Sequence, residues 1–145
     1  MTPDELREVA RRFIDEIFNR RNLTYAGEML ADDFVEHSAP PPAMPTGKTG
    51  AIARFKWLLD ASDDLRTEIL DIVSDGRQVA IRARFIDTDT GGVFPGVPAT
   101  GRPFDIEGID IASINDDGKF VEHYGILDMK DALEQLGITP NIGGA

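Results

Sequence analysis

Apolar residues recur every three or four positions through the first eighteen residues. Leu6, Val9, Ala10, Phe13, Ile14, Ile17 and Phe18 would line one face of an α-helix. Arg7, Glu8, Arg11, Arg12 and Asp15 fall on the opposite face, which reads as a solvated surface. Thr2 suits the N-cap, Pro3 the first helical position, and Glu5 completes a capping box. A second short helix is expected from Asn22 to about Leu30, burying Leu23, Ala26, Met29 and Leu30. After "DDFVEH" comes "SAPPPAMPTG", whose prolines bar a helix or an interior strand. That run reads as a connection able to close over a pocket. A third helix is expected over roughly Thr49 to Ala61, carrying Ile52, Phe55, Trp57, Leu58 and Leu59.

The period then shortens to two. "TEILDIVSDGRQVAIRARFIDTD" predicts two strands joined at Asp75-Gly76, a hairpin signal. In the second, Val79, Ile81, Ala83 and Phe85 alternate with Gln78, Ala80, Arg82 and Arg84. A Gly- and Pro-rich loop, "TGGVFPGVPATGRP", leads to the strand "FDIEGIDIASIND". Another hairpin signal at Asp117-Gly118 precedes the last strand, "KFVEHYGILD", and a small final helix. Gly108 and Gly125 lie inside strands, where glycine often marks a bend or bulge. The pattern shows no repeat, linker or second domain, so residues 1–145 are read as one. Helices gathered on one side of a bent sheet make an α+β cone with an open end. An apolar cavity in such a cone is the default ligand site.

Composition narrows the function classes. A net charge of -11 disfavours nucleic acid, which needs a cationic face, and also anionic membrane surfaces. With no cysteine, thiol catalysis, disulfides and thiolate metal sites are excluded. The two histidines sit in no recognisable ligand spacing, so no metal site is expected, although both could still converge with carboxylates in the fold. No segment approaches the roughly 20 apolar residues of a membrane span, and the N-terminus has no signal-peptide core. A cytoplasmic location is the default expectation.

Four stretches carry a family resemblance. They are the opening helix leading to "LADDFVEHSAP", then "VFPGVPATGRPFDIEGIDIASI", "DDGKFVEHYGILD", and the ending "ALEQLG". Together they resemble the SnoaL-like polyketide cyclases, or ester cyclases, of the NTF2-like superfamily. The resemblance implies a cone with a curved antiparallel or mixed sheet wrapped around three N-terminal helices. It also implies a deep pocket, no cofactor, and a homodimer. In the family a carboxylate near the end of the last strand acts as general acid/base in an intramolecular aldol closure of a polyketide ester. Asp128 matches that carboxylate. His37 matches a histidine that follows the second helix in many relatives. Two departures stand out: Tyr124 occupies a position commonly held by Trp, and Asp89 one often held by His.

The chemistry is physically coherent. A carbon acid between two carbonyls yields to a carboxylate base, and burial raises an aspartate from its ordinary value near 3.9 to make it a better one. His37, His123 or Tyr124 could donate to the enolate. Asp128 is equally well placed to cap the helix of "MKDALEQLG". In a regular strand Tyr124 and Asp128 share one face, and His123, read as structural or exposed, lies on the other. Tyr124, Trp57, Phe55, Phe94 and Asp110 are the expected substrate-binding residues, with Trp57, Phe55 and Phe94 read as core or pocket wall. Two rival functions stand beside a cyclase acting on a small apolar carbonyl compound. One is epoxide hydrolysis by Asp110 and Asp128 with Arg82 or Arg84. The other is a non-catalytic module that binds an apolar metabolite or a partner protein.

Overall fold

The computed structural model describes residues 1–38, 44–94 and 96–138. The chain runs α1 (Pro3–Ile14), a π-helical turn (Asp15–Asn19), α2 (Leu23–Met29), β1 (Leu30–Glu36), α3 (Gly47–Asp60), β2 (Arg66–Ser74), β3 (Gln78–Thr88), β4 (Pro103–Ile114), β5 (Phe120–Leu127) and α4 (Met129–Gln135). The expected capping box forms: the Thr2 hydroxyl accepts from the Glu5 amide at 3.2 Å, and the Glu5 carboxylate accepts from the Thr2 amide at 2.7 Å. Most of the connection expected to close over a pocket, residues 39–43, lies outside the described residues.

The five strands form one open mixed sheet in the order β1-β5-β4-β3-β2. Neighbours are antiparallel except β1, which runs parallel to β5. Strand β1 has no counterpart among the strands expected from the sequence pattern. Its apolar residues do not alternate: Leu30, Ala31 and Phe34 are all buried, and the register slips between Leu30 and Val35. Its partner is contributed by residues near the far end of the chain, so local periodicity could not reveal it.

Helix α1 lays Leu6, Ala10 and Phe13 on the concave face of the sheet, with Ile17 from the π-helical turn. There they meet Val79, Ile81 and Ala83 of β3, Ala112 and Ile114 of β4, and Phe120 of β5. Phe13 sits with its ring centre 4.5 Å from that of Phe120 and 6.0 Å from that of Phe55. Such tilted pairs add to the gain from burial. A second, smaller cluster joins Val93, Phe94, Phe104 and Ile106 to Ala132 and Leu136. Gly108 makes that end of the sheet packable: a Cβ there would lie 2.7 Å from Leu127 Cδ2 and 3.0 Å from Phe85 Cε2. Buried Asp89 organises the loop between β3 and β4, accepting from the amides of Val93 and Thr100 and from the Thr100 hydroxyl. Among the described residues no helix is long and apolar enough to cross a membrane.

Candidate active site: a histidine held between two carboxylates

The tetrapeptide Phe-Val-Glu-His occurs twice, at 34–37 in β1 and its exit and at 120–123 in β5. The two copies lie side by side in parallel, slipped by one residue: Glu36 is opposite His123 and Val35 is opposite Glu122. Successive strand residues face opposite ways. The slip therefore creates two Glu–His pairs, one on each face of the sheet. Glu36 with His123 faces inward, and His37 with Glu122 faces outward.

The inward pair is completed by Asp110 of β4. His123 Nδ1 lies 2.7 Å from Glu36 Oε2, and its Nε2 lies 2.7 Å from Asp110 Oδ1. Burial disfavours a charged ring, but the hydrogen bonds and charges of Asp110 and Glu36 outweigh it. The net result pushes the His123 pKa up from its ordinary 6.5 to about 9, so the ring is an imidazolium at neutral pH. Burial likewise works against ionised Glu36, and His123 with Ser38 reverses it, holding that carboxylate below its usual range. With Oδ1 committed to His123, Asp110 keeps its Oδ2 free of any hydrogen bond from the described residues. Among those residues no group of three or more His, Cys, Asp or Glu is arranged to hold a metal ion.

The other expected site residues lie elsewhere. Asp128 is solvent-exposed and caps α4, its Oδ1 accepting from the Asp131 amide at 3.1 Å. His37 and Tyr124 do come together, their rings stacked at 4.1 Å and 3° apart in plane. They do so on the convex face, where Tyr124 is 48% exposed and His37 Nε2 is 3.2 Å from Glu122. The strand alternation expected for His123 and Tyr124 thus holds, and the inward face belongs to His123. Phe55 packs between Phe13 and Phe18, Trp57 is half-buried on α3, and Phe94 is buried against Phe104. Of the expected set, Asp110 alone reaches the His123 cluster.

Arg82 and Arg84 are drawn to the convex face as well. Arg82 bridges Asp71 and Glu107, and Arg84 bridges Glu68 and Asp105. They do not converge with Asp110 and Asp128, so the arrangement needed for epoxide hydrolysis is not assembled. Sequence reasoning missed Glu36, and it read His123 as structural or exposed while naming it among three candidate donors to the enolate. The repeated tetrapeptide was the one available signal, and only the one-residue slip gives it meaning.

A second perturbed acid lies at the other end of β3. Asp87 is 3% exposed, and burial pushes its carboxyl up to about 6. Its Oδ1 accepts from the Ser62 hydroxyl, while its buried Oδ2 has no partner among the described residues.

The fold is an NTF2-like α+β domain, with His123 held between Glu36 and Asp110 on the concave face of its sheet. The family model for SnoaL-like polyketide cyclases matches residues 8–136, and the chain belongs to that family. Solved structures agree. TsrD from Streptomyces laurentii superposes with a TM-score of 0.82 at 25% identity, over 96% of this chain and 99% of that one. IdmH from Streptomyces antibioticus, described as a candidate polyketide cyclase, is 32% identical over 86% of this chain and 94% of its own, with a TM-score of 0.70. AclR from Streptomyces galilaeus, described as a candidate hydroxylase, shares the fold at a TM-score of 0.78 and 23% identity, over 98% of this chain and 91% of its own. No curated protein matches the chain in sequence.

Proposed function

We propose that this protein is a cofactor-independent cyclase that closes a ring in a small, largely apolar polyketone ester by intramolecular aldol addition. The observation that carries this reading is the His123 ring held between Glu36 and Asp110 on the concave face of a cyclase-family fold. Asp110 takes the proton from a carbon flanked by two carbonyls. Once Asp110 is protonated, its claim on the His123 Nε2–H weakens. That N–H then turns to the enolate oxygen, where negative charge has developed. The enolate carbon attacks a second carbonyl of the same molecule, forming the carbon–carbon bond as the C=O π bond breaks. The new alkoxide recovers the proton from Asp110. Glu36 keeps His123 charged and oriented throughout, and Asp128 serves as the helix cap.

The test is turnover of linear β-polyketone methyl esters of graded length, followed by product mass and loss of the acyclic chromophore. Asp110→Asn and His123→Asn should each stay folded and lose roughly two to four orders of magnitude in kcat. Near-normal turnover in folded Asp110→Asn refutes the assignment.

The protein is also read as a homodimer, formed through the convex face. Val35, Ile109, Ile111, Tyr124 and Ile126 are all exposed there on three adjacent strands. Contiguous exposed apolar residues of this kind usually meet a partner.

A further inference from the structure

The Asp110–His123 pair closes over a stretch of bare backbone. On the concave face His123 is opposite Ala112, and Gly125 is opposite Asp110. The Asp110 side chain therefore runs diagonally across Gly125 to reach His123 Nε2 at 2.7 Å. A Cβ on Gly125 would sit 2.7 Å from Asp110 Oδ1, 2.8 Å from His123 Cε1 and 3.2 Å from His123 Nε2. The first two separations are shorter than carbon tolerates against oxygen or carbon without movement.

Conformation does not explain the glycine. Gly125 is not among the glycines with positive φ, and it lies within the regular part of β5. Inside a strand, glycine costs stability relative to residues with a side chain. What the position demands is space. The backbone there is also pinned: the Ser38 hydroxyl accepts from the Gly125 amide at 2.8 Å and donates to its carbonyl at 3.1 Å. The strand cannot simply retreat from an added methyl group.

We infer that Gly125 is a positioning residue whose missing side chain is the slot in which Asp110 and His123 make contact. The inference rests on the reading of that pair as the acid/base couple. Its consequence is that any side chain at Gly125 separates the two groups without removing either from the chain.

The test is a proton NMR titration of the His123 Cε1–H. The chain has only two histidines, so a His37→Gln background isolates the signal. In Gly125→Ala the His123 midpoint should fall by more than one unit from about 9, because Asp110 is pushed away from the ring. Against an Asp110→Ala background the nearest obstacle is gone, and the same alanine should move the midpoint less than half as far. A merely structural role for Gly125 would not show that dependence. An unchanged midpoint in folded Gly125→Ala, or equal shifts in the two backgrounds, overturns the proposal. If Gly125→Ala alone does not fold, recovery of folding in Gly125→Ala/Asp110→Ala supports the slot, and failure of both overturns it. The titration needs no substrate, so its outcome is separate from that of the cyclase reading. A large midpoint shift with turnover intact would refute the acid/base couple and leave the slot standing.

Discussion

Replacing Glu36 with Gln removes one of the two charges that hold His123 ionised, and the consequence can be worked through in energy. The folded-state pKa of His123 is about 9 against an ordinary 6.5. At about 1.4 kcal/mol per unit this difference corresponds to roughly 3 kcal/mol of folding stability. The side chain is 27% exposed, so solvent screening places the realised contribution nearer 2 kcal/mol. Because the pKa is raised, folding is favoured wherever the ring is protonated in the folded state. The contribution is complete below about pH 6.5 and is lost as pH climbs through about 9. Glutamine keeps an oxygen for Nδ1–H and loses the charge, so roughly half of the effect should disappear. Urea unfolding of wild type and Glu36→Gln at pH 7 and pH 10 isolates the term, since groups titrating elsewhere cancel in the difference. The expected result is a stability drop from pH 7 to pH 10 that is about 1 kcal/mol smaller in the variant, with an unchanged m-value. Equal drops in the two proteins would refute the claim that Glu36 charges His123.

Three other outcomes are expected. Asp87→Asn should stabilise the protein at pH 7.5 and not at pH 4.5. The buried carboxyl is raised to about 6, so ionising it costs stability as pH rises through that value, and equal melting shifts at both pH values would contradict this. Asp128→Asn should keep the α4 cap, change stability by less than about 0.5 kcal/mol and leave turnover near normal, whereas Asp128→Ala should cost about 1 kcal/mol. A hundredfold loss of turnover in folded Asp128→Asn would instead move the acid/base role to that residue. Ile126→Glu, at a side chain 78% exposed on the convex face, should convert the proposed dimer to a monomer by light scattering; a monomeric wild type would remove the basis for this interface.

Features set by neighbours within a few residues were legible in the sequence. The Thr2–Glu5 capping box, the apolar stripe of α1, and the turns at Asp75-Gly76 and Asp117-Gly118 depend on local backbone geometry and on a helix or strand period. The family was legible too, because its motifs recur in order along most of the chain. The cap geometry of Asp128 could be read from its three-residue spacing to Asp131, and its exposure could not. Strand β1 and the candidate-site cluster were decided by tertiary structure. Glu36 and His123 are separated by 87 residues, and His37 and Glu122 by 85, one either side of the spacing between the two Phe-Val-Glu-His copies. Nothing within either copy specifies which way the register slips. That choice is made by burial of Leu30, Phe34 and Phe120 against α1 and α3, summed over the core. A slip of one residue exchanges the faces of a strand, so the same packing that buried those apolar side chains also turned one histidine inward to two carboxylates and left the other outside.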